Sequence, residues 1–432
     1  MGAYERKDYY DFYGPVMQFG FNKKEYIHGW YPFVEGYSKQ FIRSIIDELD
    51  YKPVHCLEPF AGSGTTPLEL QKLNIKCTSF EVSPFMHLLS VVKMRTDYTV
   101  KSFQESAKLF NEIYFNSPQN IYAFITPPKA KTIVENESLE KWNFDKNVMH
   151  TLLKIKYAIY QLPNKKYRDL FLVAFASILL QVSNLFRNGK CLSYKKDWQK
   201  ASRSEDEIYN IFIDKLHEVF EPDIIKLNEY KKESKLMSNY IDCHLGDSRK
   251  LIQKSDKNSI DLVITSPPYL NSRDYTDSYI VELRMLDFLD KYPSMQAYRS
   301  RAIRSHVQVK WPDTEMLDIS LLKQAVSQIE KHKEEFWNDS LLNMIKGYFI
   351  DMDLVFKGFK HSLTDNGRIY FNVANSSYYG VEIKVDEIIS EIATRNGLIV
   401  REIREARKVP PSSQQKDQIS HLVESVIVIH NK

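Results

Sequence analysis

The feature that most constrains this chain is a run in which an apolar segment, a glycine-containing turn and a helical segment follow one another. Residues 54–57 form the apolar segment, residues 58–66 form the turn, and Pro67 opens the helical pattern. Proline suits the first turn of a helix because its missing N–H has no partner there in any case. The run therefore predicts a strand, a tight turn and a helix, the opening unit of a parallel sheet.

A second unit of the same kind follows directly. Residues 76–80 form a strand pattern that ends on Glu81, and residues 84–93 form a helical pattern. The alternation then stops, because residues 100–239 contain several helical segments joined by polar loops and no convincing strand. Strand patterns resume at residues 241–245, 260–265, 368–373, 398–403 and 425–430. Helical patterns separate most of these strands, so the C-terminal part continues the sheet that the first two units begin.

These patterns predict an α/β fold with about seven strands in a mostly parallel, Rossmann-like sheet and helices on both faces. The last strand is expected to run antiparallel beside its predecessor. We expect three parts: residues 1–99 as the N-terminal part of the sheet domain, residues 100–239 as a largely helical insert, and residues 240–432 as the C-terminal part. One interrupted domain then explains a chain of 432 residues without independent domains in series.

Composition excludes several classes of protein. The longest apolar stretch, residues 170–180, is shorter than the ~20 residues that a bilayer span needs, so it is predicted to be a buried helix. The N-terminal residues contain no apolar signal segment, which indicates a cytoplasmic protein without a membrane partner. The cysteines lie too far apart for a zinc site or a disulfide framework, so no metal is expected; they are Cys56, Cys77, Cys191 and Cys243.

The turn at residues 58–66 has the properties of a nucleotide-binding loop. Gly62 and Gly64 allow a sharp turn and a close approach of the backbone to a ligand. The helix that follows presents free N–H groups and a positive dipole end to an anionic group such as a carboxylate. Glu81 follows Gly64 by 17 residues (81 − 64), where it can accept hydrogen bonds from ribose hydroxyls. A structural turn with an exposed acid is the alternative, but the spacing of Glu81 favours nucleotide binding.

The second motif, Thr265-Ser266-Pro267-Pro268-Tyr269, stands directly after a predicted buried strand. Two consecutive prolines make a rigid turn and leave carbonyls without local donors. The carboxyl ends of sheet strands are also where open α/β folds bind ligands. Ser266 Oγ and the Pro267 carbonyl could therefore accept hydrogen bonds from an amino group, and Tyr269 could stack on a planar base. Considered alone, the motif is explained equally well by a plain proline turn with Tyr269 packed on the core.

Together the two motifs resemble those of S-adenosylmethionine-dependent DNA methyltransferases. Residues 58–66 resemble the cofactor motif of these enzymes, and residues 266–269 resemble the catalytic motif of the members that act on exocyclic amino groups. Serine at the first position is typical of the cytosine-N4 subgroup, whereas Asp or Asn is commoner in adenine-N6 enzymes. The resemblance covers about residues 25–95 and 240–432, and it implies a seven-stranded methyltransferase sheet with helices on both faces.

The resemblance also implies a role for each matching residue. The residues that would line the methionine end of S-adenosylmethionine are Glu58, Phe60, Gly62 and Gly64, with Thr65 as a further cofactor candidate. Glu81 would hold the ribose, and Asp247, in the turn after the strand at 241–245, would bond the adenine amino group. Tyr31, in the aromatic run of residues 30–33, looks like part of the family's motif that flanks the cofactor. An aromatic anchor between surface and core explains that run equally well.

The implied reaction is methyl transfer to the N4 amine of a cytosine that has left the duplex stack. This amine is a poor nucleophile because its lone pair is conjugated with the ring. Acceptors at Ser266 and the Pro267 carbonyl would favour a pyramidal nitrogen, and the gain would come from positioning and preorganised electrostatics. Methylation at carbon 5 of cytosine is excluded, because that family presents a cysteine after a proline and this chain has none.

Segments that interleave basic and aromatic residues are candidates for contacts with DNA phosphates and bases. They span residues 186–203, 298–311 and 407–413, and a solvated surface is the alternative for each. The net charge of +3 neither demands nor forbids a nucleic-acid partner. Family members often place the catalytic motif before the cofactor motif, whereas here it follows. We therefore predict the target-recognition region in the insert, residues 100–239, with residues 291–340 as an accessory.

The leading hypothesis is a cytosine-N4 DNA methyltransferase of a restriction–modification system, with double-stranded DNA as partner and the cognate restriction endonuclease as a separate protein. Methylation of adenine N6 in DNA is the first alternative, and an RNA base or guanine-N2 methyltransferase is the second. A non-catalytic nucleic-acid-binding protein would be favoured by the loss of Gly62, Glu81 or Ser266, and all three are present. The motifs carry no information on the recognition sequence or the oligomeric state.

Overall fold

The computed structural model describes residues 4–188, 191–200, 203–233, 240–270, 274–289, 292–412, 415 and 417–432. Its strands are β1 (Arg6–Asp8), β2 (His55–Glu58), β3 (Lys76–Glu81), β4 (Leu185–Asn188), β5 (Cys191–Tyr194), β6 (Asp242–Leu245), β7 (Ile260–Thr265), β8 (Leu363–Ala374), β9 (Ser376–Tyr378), β10 (Val381–Ile383), β11 (Ile399–Val409) and β12 (Leu422–His430). Its α-helices are α1 (Tyr10–Tyr13), α2 (Lys39–Glu48), α3 (Thr65–Lys72), α4 (Pro84–Met94), α5 (Val100–Phe115), α6 (Lys146–Tyr160), α7 (Lys165–Val182), α8 (Glu205–Lys215), α9 (Glu221–Lys232), α10 (Ser248–Leu251), α11 (Tyr275–Ser278), α12 (Ile280–Met285), α13 (Tyr292–Arg299), α14 (Ser320–Glu330), α15 (Leu341–Ser362) and α16 (Val385–Arg395). A π-helical segment, Leu216–Phe220, joins α8 to α9.

Eight strands of the described chain form one sheet in the order β1-β11-β12-β8-β7-β2-β3-β6. β12 runs antiparallel to both neighbours, and the other pairings are parallel. The predicted antiparallel placement of the last strand is thus confirmed. The count of seven is corrected to eight, because β1 pairs with the edge of β11. Its three residues are charged and exposed, so hydrophobic periodicity gives no signal for it.

Side chains of the central strands alternate between two cores, one on each face of the sheet. Cys56 of β2 and Leu262 of β7 belong to a core that includes residues of α2 and α3. Leu57 and Val263 belong to a core that includes residues of α14, α15 and α16. Helices therefore cover both faces, as parallel strands require for their burial. The carboxyl ends of the parallel strands β2, β3, β6 and β7 meet at one edge, where both predicted motifs leave the sheet.

The segment between the two motifs contains α5 to α9, which pack through aromatic and aliphatic side chains. Phe110 contacts both Phe171 and Phe212, which joins α5, α7 and α8. The same core includes Phe85 of α4, so these helices pack directly against a helix of the sheet domain. α7 contains the whole apolar run of residues 170–180, for which the sequence predicts a buried helix, and its apolar side chains are largely buried. The boundaries proposed for this segment stay a prediction.

The expectation that this segment contains no strand is wrong. β4 and β5 form an antiparallel hairpin, with Leu185 opposite Tyr194 and Phe186 opposite Ser193. Each strand has four residues, which is too short for alternation to be recognised beside a run of basic residues. Within the described ranges, no helix combines the length and the hydropathy needed to cross a membrane.

Candidate active site and cofactor cleft

The turn after β2 is built on the two glycines that the motif contains. Gly62 and Gly64 have positive φ angles of 51° and 80°, in the left-handed region that favours glycine. A Cβ on Gly64 would lie 2.8 Å from Ser90 Oγ, so the turn also needs the missing side chain for its contact with α4. Gly64 is the N-cap of α3, and Thr65 is the first residue of that helix. The turn thereby brings the N-terminus of α3 to the carboxyl end of β2.

Glu58 ends β2 and connects the two motifs. Its carboxylate accepts hydrogen bonds from the Phe60 N–H (2.9 Å) and from the hydroxyls of Tyr37 (2.8 Å), Thr66 (3.0 Å) and Thr265 (2.5 Å). Burial raises its pKa to about 7, although these donors act in the opposite direction. Because Thr265 immediately precedes the Ser-Pro-Pro-Tyr motif, its hydrogen bond to Glu58 connects the two motifs. Glu58 itself does not line the cleft between them.

Glu81 ends β3, as the strand pattern predicts. Its two carboxylate oxygens accept backbone N–H groups of Gly62 (2.7 Å) and Ser83 (2.7 Å). The side chain is 8% exposed, and burial raises its pKa to about 7. Glu81 therefore braces the glycine turn and still contributes a carboxyl group to the cleft that it lines.

The glycine turn, the end of β3 and the Ser-Pro-Pro turn line one open cleft. It has about 1140 Å³ of empty space, including the part that is open to solvent. The predicted cofactor residues that line it are Phe60, Gly62, Thr65, Glu81 and Asp247. Glu58 and Gly64 support its wall, and Tyr31 lies outside it.

Asp247 follows β6 and caps the N-terminus of α10. Its carboxylate is paired with Arg249, whose Nε and Nη2 each lie 2.9 Å from one of its oxygens. Arg249 also donates to the buried Asp351 (2.9 Å). This ion pair orients Asp247 at the wall of the cleft, on the side where β6 ends.

Tyr31 does not occupy the position that the resemblance implies. It is fully buried, and its hydroxyl donates to Glu282 (2.6 Å) and accepts from Arg187 (2.7 Å). Phe33, two residues later, lines the cleft instead, and its ring lies 3.2 Å from the point where Gly62 would carry a Cβ. The aromatic run therefore flanks the glycine turn through a different residue. Tyr31 anchors the run in the core, which is the alternative that its composition left open.

The Ser-Pro-Pro-Tyr motif leaves β7 and separates two cavities. Ser266, Pro267 and Pro268 line the cleft described above. Ser266, Pro267 and Tyr269 also line a second pocket on the other side of the motif. Tyr269 borders, in addition, a broad groove between the carboxyl edge of the sheet and the β4–β5 hairpin. A group held at Ser266 would thus be accessible both from the cleft and from the second pocket.

Two residues of the second pocket were missed because they lie inside strands and carry no motif. Asn372 of β8 and Glu424 of β12 both line it, and both contact the hydroxyl of Tyr269. Their signal in the sequence is a polar residue within an otherwise apolar strand, at Phe371-Asn372-Val373 and around Glu424. Such a residue is unusual at a buried position and requires a partner.

Known proteins match most of the chain. It is 24% identical over 420 residues to the Type II methyltransferase M.BsoBI of Geobacillus stearothermophilus, a match that covers 88% of this chain and 80% of that protein. It is 24% identical over 419 residues to the Type II methyltransferase M.AvaI of Nostoc sp., which covers 90% and 82%. It is 21% identical over 384 residues to the Type II methyltransferase M.MvaI of Kocuria varians, which covers 86% and 82%. These relatives are all Type II methyltransferases. No family model matches the chain.

The extent of these matches bears on the helical segment between the motifs. A match over 88% of the chain leaves too few residues unmatched to omit residues 100–239 altogether. The similarity to these methyltransferases therefore extends beyond the two blocks that the motifs alone identify.

The basic–aromatic segment at residues 298–311 borders the same cleft and does not expose a row of charges. Arg299 is buried and paired with Asp274 (2.5 Å), and Arg304 is paired with the buried Asp351 (2.7 Å). A guanidinium that is removed from water needs such a carboxylate. Most of this segment therefore serves to build the wall of the cleft.

The other two basic–aromatic segments lie beside the groove and are only partly exposed. Arg187 is paired with the buried Glu282, whereas Lys196 and Lys200 are exposed on the turn after β5. Arg407 donates to the buried Glu424. Lys190 and Ser413, which belong to these segments in the sequence, lie outside the described residues.

The cysteines take no part in the cleft. Burial raises the pKa of the Cys56 and Cys77 thiols well above the usual range, so neither is a ready nucleophile. None of the four cysteines, all of which are described, lines the cleft, and none forms a disulfide. Across the part of the chain that the structure describes, no group of three or more His, Cys, Asp or Glu side chains is arranged to hold a metal ion.

Proposed function

We propose that this chain is an S-adenosylmethionine-dependent DNA methyltransferase that modifies the exocyclic N4 amine of cytosine in a restriction–modification system. The observation that carries the proposal is that the glycine turn after β2 and the Ser-Pro-Pro turn after β7 open onto one cleft. Methyl transfer from a nucleoside cofactor to an amine needs both turns: the glycine turn would bind the cofactor, and the rigid Ser-Pro-Pro turn would accept hydrogen bonds from the amine. The names of the relatives support the same class of reaction.

The cleft suits S-adenosylmethionine in charge and in shape. This cofactor joins a sulfonium cation to adenosine, and the cleft is lined by aromatic rings, which attract a cation, by four carboxyl groups and by one arginine, Arg301. The carboxyl groups belong to Glu35, Glu81, Asp247 and Asp274. Two of the carboxylates, Asp247 and Asp274, are paired with arginines. When bound, the cofactor supplies an electrophilic methyl group on its sulfur.

Each cofactor contact follows from the chemistry of a side chain in the wall. Glu81 would accept hydrogen bonds from the ribose hydroxyls, since a carboxylate that receives the Gly62 and Ser83 N–H groups retains acceptor capacity. Asp247 would accept from the adenine amino group with the capacity that Arg249 leaves. Phe60 and the N-terminus of α3 would contact the methionine end.

Ser266 and the Pro267 carbonyl would hold the target amine. The amine of cytosine has two N–H groups and a conjugated lone pair, so two acceptors that bind both hydrogens favour a pyramidal nitrogen. Pro267 and Pro268 keep the turn rigid, which lowers the entropic cost of this alignment. No strong base is needed, because the methylated amine is cationic and loses a proton readily.

The target base would reach Ser266 through the second pocket, which shares Tyr269, Arg407 and Glu424 with the groove. It must leave the duplex stack to do so, and the ring of Tyr269 would hold it by stacking. The groove has the β4–β5 hairpin on one wall, so we propose that residues 100–239 carry the target-recognition surface. Residues 291–340 would contribute an accessory part.

The test is methyl transfer from tritiated S-adenosylmethionine to unmethylated genomic DNA, followed by digestion to nucleosides. Label in N4-methyl-2′-deoxycytidine is the expected result. Label in N6-methyladenine would replace the base in the proposal, and label on RNA alone would overturn the DNA substrate. DNA modified by the chain is also expected to resist cleavage by a cognate endonuclease encoded as a separate protein.

A further inference from the structure

The hydroxyl of Tyr269 is held by a buried polar group that spans three adjacent strands. Tyr269 Oη donates to Glu424 Oε1 (2.5 Å), and Asn372 Nδ2 donates to Tyr269 Oη (2.7 Å) and to Glu424 Oε1 (2.9 Å). Arg407 Nε donates to the other oxygen of Glu424. Asn372 and Glu424 are only 2% and 1% exposed. The fourth residue of the catalytic motif is thereby tied to β8, β11 and β12.

The chemistry of these groups decides where each hydrogen points. Glu424 forms an ion pair with Arg407, so its carboxylate can only accept. The amide nitrogen of Asn372 can only donate. The opposite amide orientation is unfavourable because it would place Oδ1, an acceptor, against the carboxylate of Glu424, which is also an acceptor. The phenol hydrogen of Tyr269 is therefore directed at Glu424, and the phenol oxygen accepts from Asn372.

Ser266 completes this chain of hydrogen bonds. Its Oγ lies 3.3 Å from Tyr269 Oη, and that oxygen has no second hydrogen to offer, so Ser266 donates. Asn372 Nδ2 is 3.5 Å from Ser266 Oγ, but its two hydrogens have nearer acceptors in Tyr269 and Glu424. With its only hydrogen directed at Tyr269, Ser266 has lone pairs left for a ligand in the cleft that it lines.

We propose that Glu424 is a positioning residue that acts through Tyr269 to make Ser266 Oγ a hydrogen-bond acceptor for the amine of the target base. The inference rests on the proposed function and gives Tyr269 a role besides stacking. A serine hydroxyl without this constraint can also rotate and present its hydrogen to the amine, which is the wrong polarity. Hydrogen bonds in a chain polarise one another, so the charge of Glu424 on β12 also strengthens Ser266 as an acceptor.

The variant Tyr269→Phe tests this because it keeps the stacking ring and removes only the hydroxyl. We expect kcat to fall by about 10- to 100-fold, the loss typical of one hydrogen bond to a charged group. The dissociation constant of S-adenosylmethionine and the KM for DNA should change less than twofold. Glu424→Gln should lower kcat similarly, because a Gln amide can donate to the phenol oxygen and reverse the chain.

A matched control lies elsewhere on β8. Tyr370 bonds Glu48, which is paired with Arg404, so this cluster has the same three residue types. Tyr370→Phe should lower the melting temperature to a similar extent as Tyr269→Phe and leave kcat unchanged. An equal loss of kcat in both variants would mean that the Tyr269 hydroxyl acts only through stability, and would overturn the proposal.

A double-mutant cycle gives a result that a structural role would not produce. In the Ser266→Ala background the Tyr269 hydroxyl has nothing to orient, so adding Tyr269→Phe should reduce the residual kcat by less than twofold. The same loss in both backgrounds, or full activity of Tyr269→Phe alone, overturns the role of Glu424 while leaving the proposed function intact. A wild-type chain that transfers no methyl group to DNA overturns both.

Discussion

The strand-end motifs and the basic–aromatic segments are equally visible in the sequence, but the fold uses them in different ways. Residues 58–66 and 266–269 lie at the carboxyl edge of the sheet and flank one cleft, as their positions after strands predict. Residues 298–311 are a candidate for DNA contact in the sequence, with a solvated surface as the alternative, yet Arg299 and Arg304 are paired within the protein. The position of a strand-end motif is set by the strand that it follows. Whether a basic side chain faces solvent or forms an internal ion pair depends instead on carboxylates that are remote in the sequence.

Arg304 illustrates this dependence. Its partner Asp351 lies 47 residues later, in α15, and the same carboxylate also accepts from Arg249. No local pattern connects these residues, so their pairing follows only once α15 packs on the sheet. The predictions below test the comparison, from the largest expected effect to the smallest.

Replacement of Ser266 by alanine is expected to have the largest effect. The variant loses one of the two acceptors for the target amine, and we expect kcat to fall by about 10²- to 10³-fold, as when a single preorganised hydrogen-bonding group is removed from an active site. The dissociation constant of S-adenosylmethionine, measured by calorimetry, should stay within twofold. Ser259→Ala is the matched control, because Ser259 precedes the same strand at its far end. Unchanged turnover in Ser266→Ala would remove the strand-end motif from the chemistry.

Most of the sheet could be predicted because its central strands are buried on both faces and read as apolar runs. Helices or long connections separate the strands β2, β3, β6, β7, β8 and β11 along the chain. The last strand, β12, lies antiparallel between β11 and β8. β1 and the β4–β5 hairpin could not be predicted, because strands of only three or four residues, most of them exposed or half-exposed, are too short for a periodicity to be detected.

The candidate site could be predicted only where its residues stand in a local motif. The glycine turn and the Ser-Pro-Pro turn are such motifs. Phe33 and Glu424 are not, because each reaches its cavity through the packing of elements that are distant in the chain. Phe33, and not Tyr31, lines the cleft because of the direction in which the chain leaves the short helical turn at His28–Trp30. The aromatic run itself does not encode that direction.

Replacement of Gly64 by alanine is expected to destabilise the fold by about 2–3 kcal/mol. Gly64 has a φ of 80°, and a Cβ there would lie 3.1 Å from Ser90 Cα, so both the backbone and the contact with α4 are strained. Gly20→Ala is the control, because a Cβ on Gly20 meets nothing within 4 Å. Melting temperatures of the two variants decide the matter. Equal stability would show that the turn adapts and that its geometry is not set by its own backbone.

The pH dependence of stability should reveal the buried carboxyl of Glu81. Its pKa is raised by burial from 4.5 to about 7, so the folded chain binds this proton more tightly than the unfolded chain. The resulting stabilisation is complete below pH 4.5 and is lost as the pH rises through 7. Between pH 5 and pH 7.5 this group should lower the free energy of unfolding by about 2 kcal/mol.

Glu81→Gln should abolish that part of the pH dependence. Urea unfolding of the wild-type chain and the variant at both pH values isolates the contribution, since Glu58 is present in both. A pH dependence that is identical in the two proteins would mean that Glu81 is as well solvated as an ordinary surface acid.

The exchange between Tyr31 and Phe33 can be tested through cofactor affinity. Phe33→Leu removes an aromatic ring from the cleft wall and should weaken S-adenosylmethionine binding by about 5- to 10-fold, near 1 kcal/mol. Tyr31→Phe should change the dissociation constant by less than twofold, although it breaks buried hydrogen bonds to Glu282 and Arg187. If Tyr31→Phe bound S-adenosylmethionine more weakly than Phe33→Leu, Tyr31 would be the residue that flanks the cofactor, as the family resemblance implies.

The smallest effect is expected for an exposed lysine beside the groove. Lys196 follows β5 and is exposed, in contrast to the paired arginines of the segment at 298–311. If it contacts a phosphate, Lys196→Ala should weaken DNA binding about two- to threefold at physiological salt and reduce the slope of log K against log salt by about 0.9. Lys257, exposed on the turn before β7 and so at the opposite edge of the sheet from the two motifs, supplies the control. Equal salt slopes for both variants would contradict a phosphate contact at Lys196. The segment after β5 would then resemble the segment at 298–311, whose Arg299 and Arg304 are paired within the protein instead of free to contact DNA.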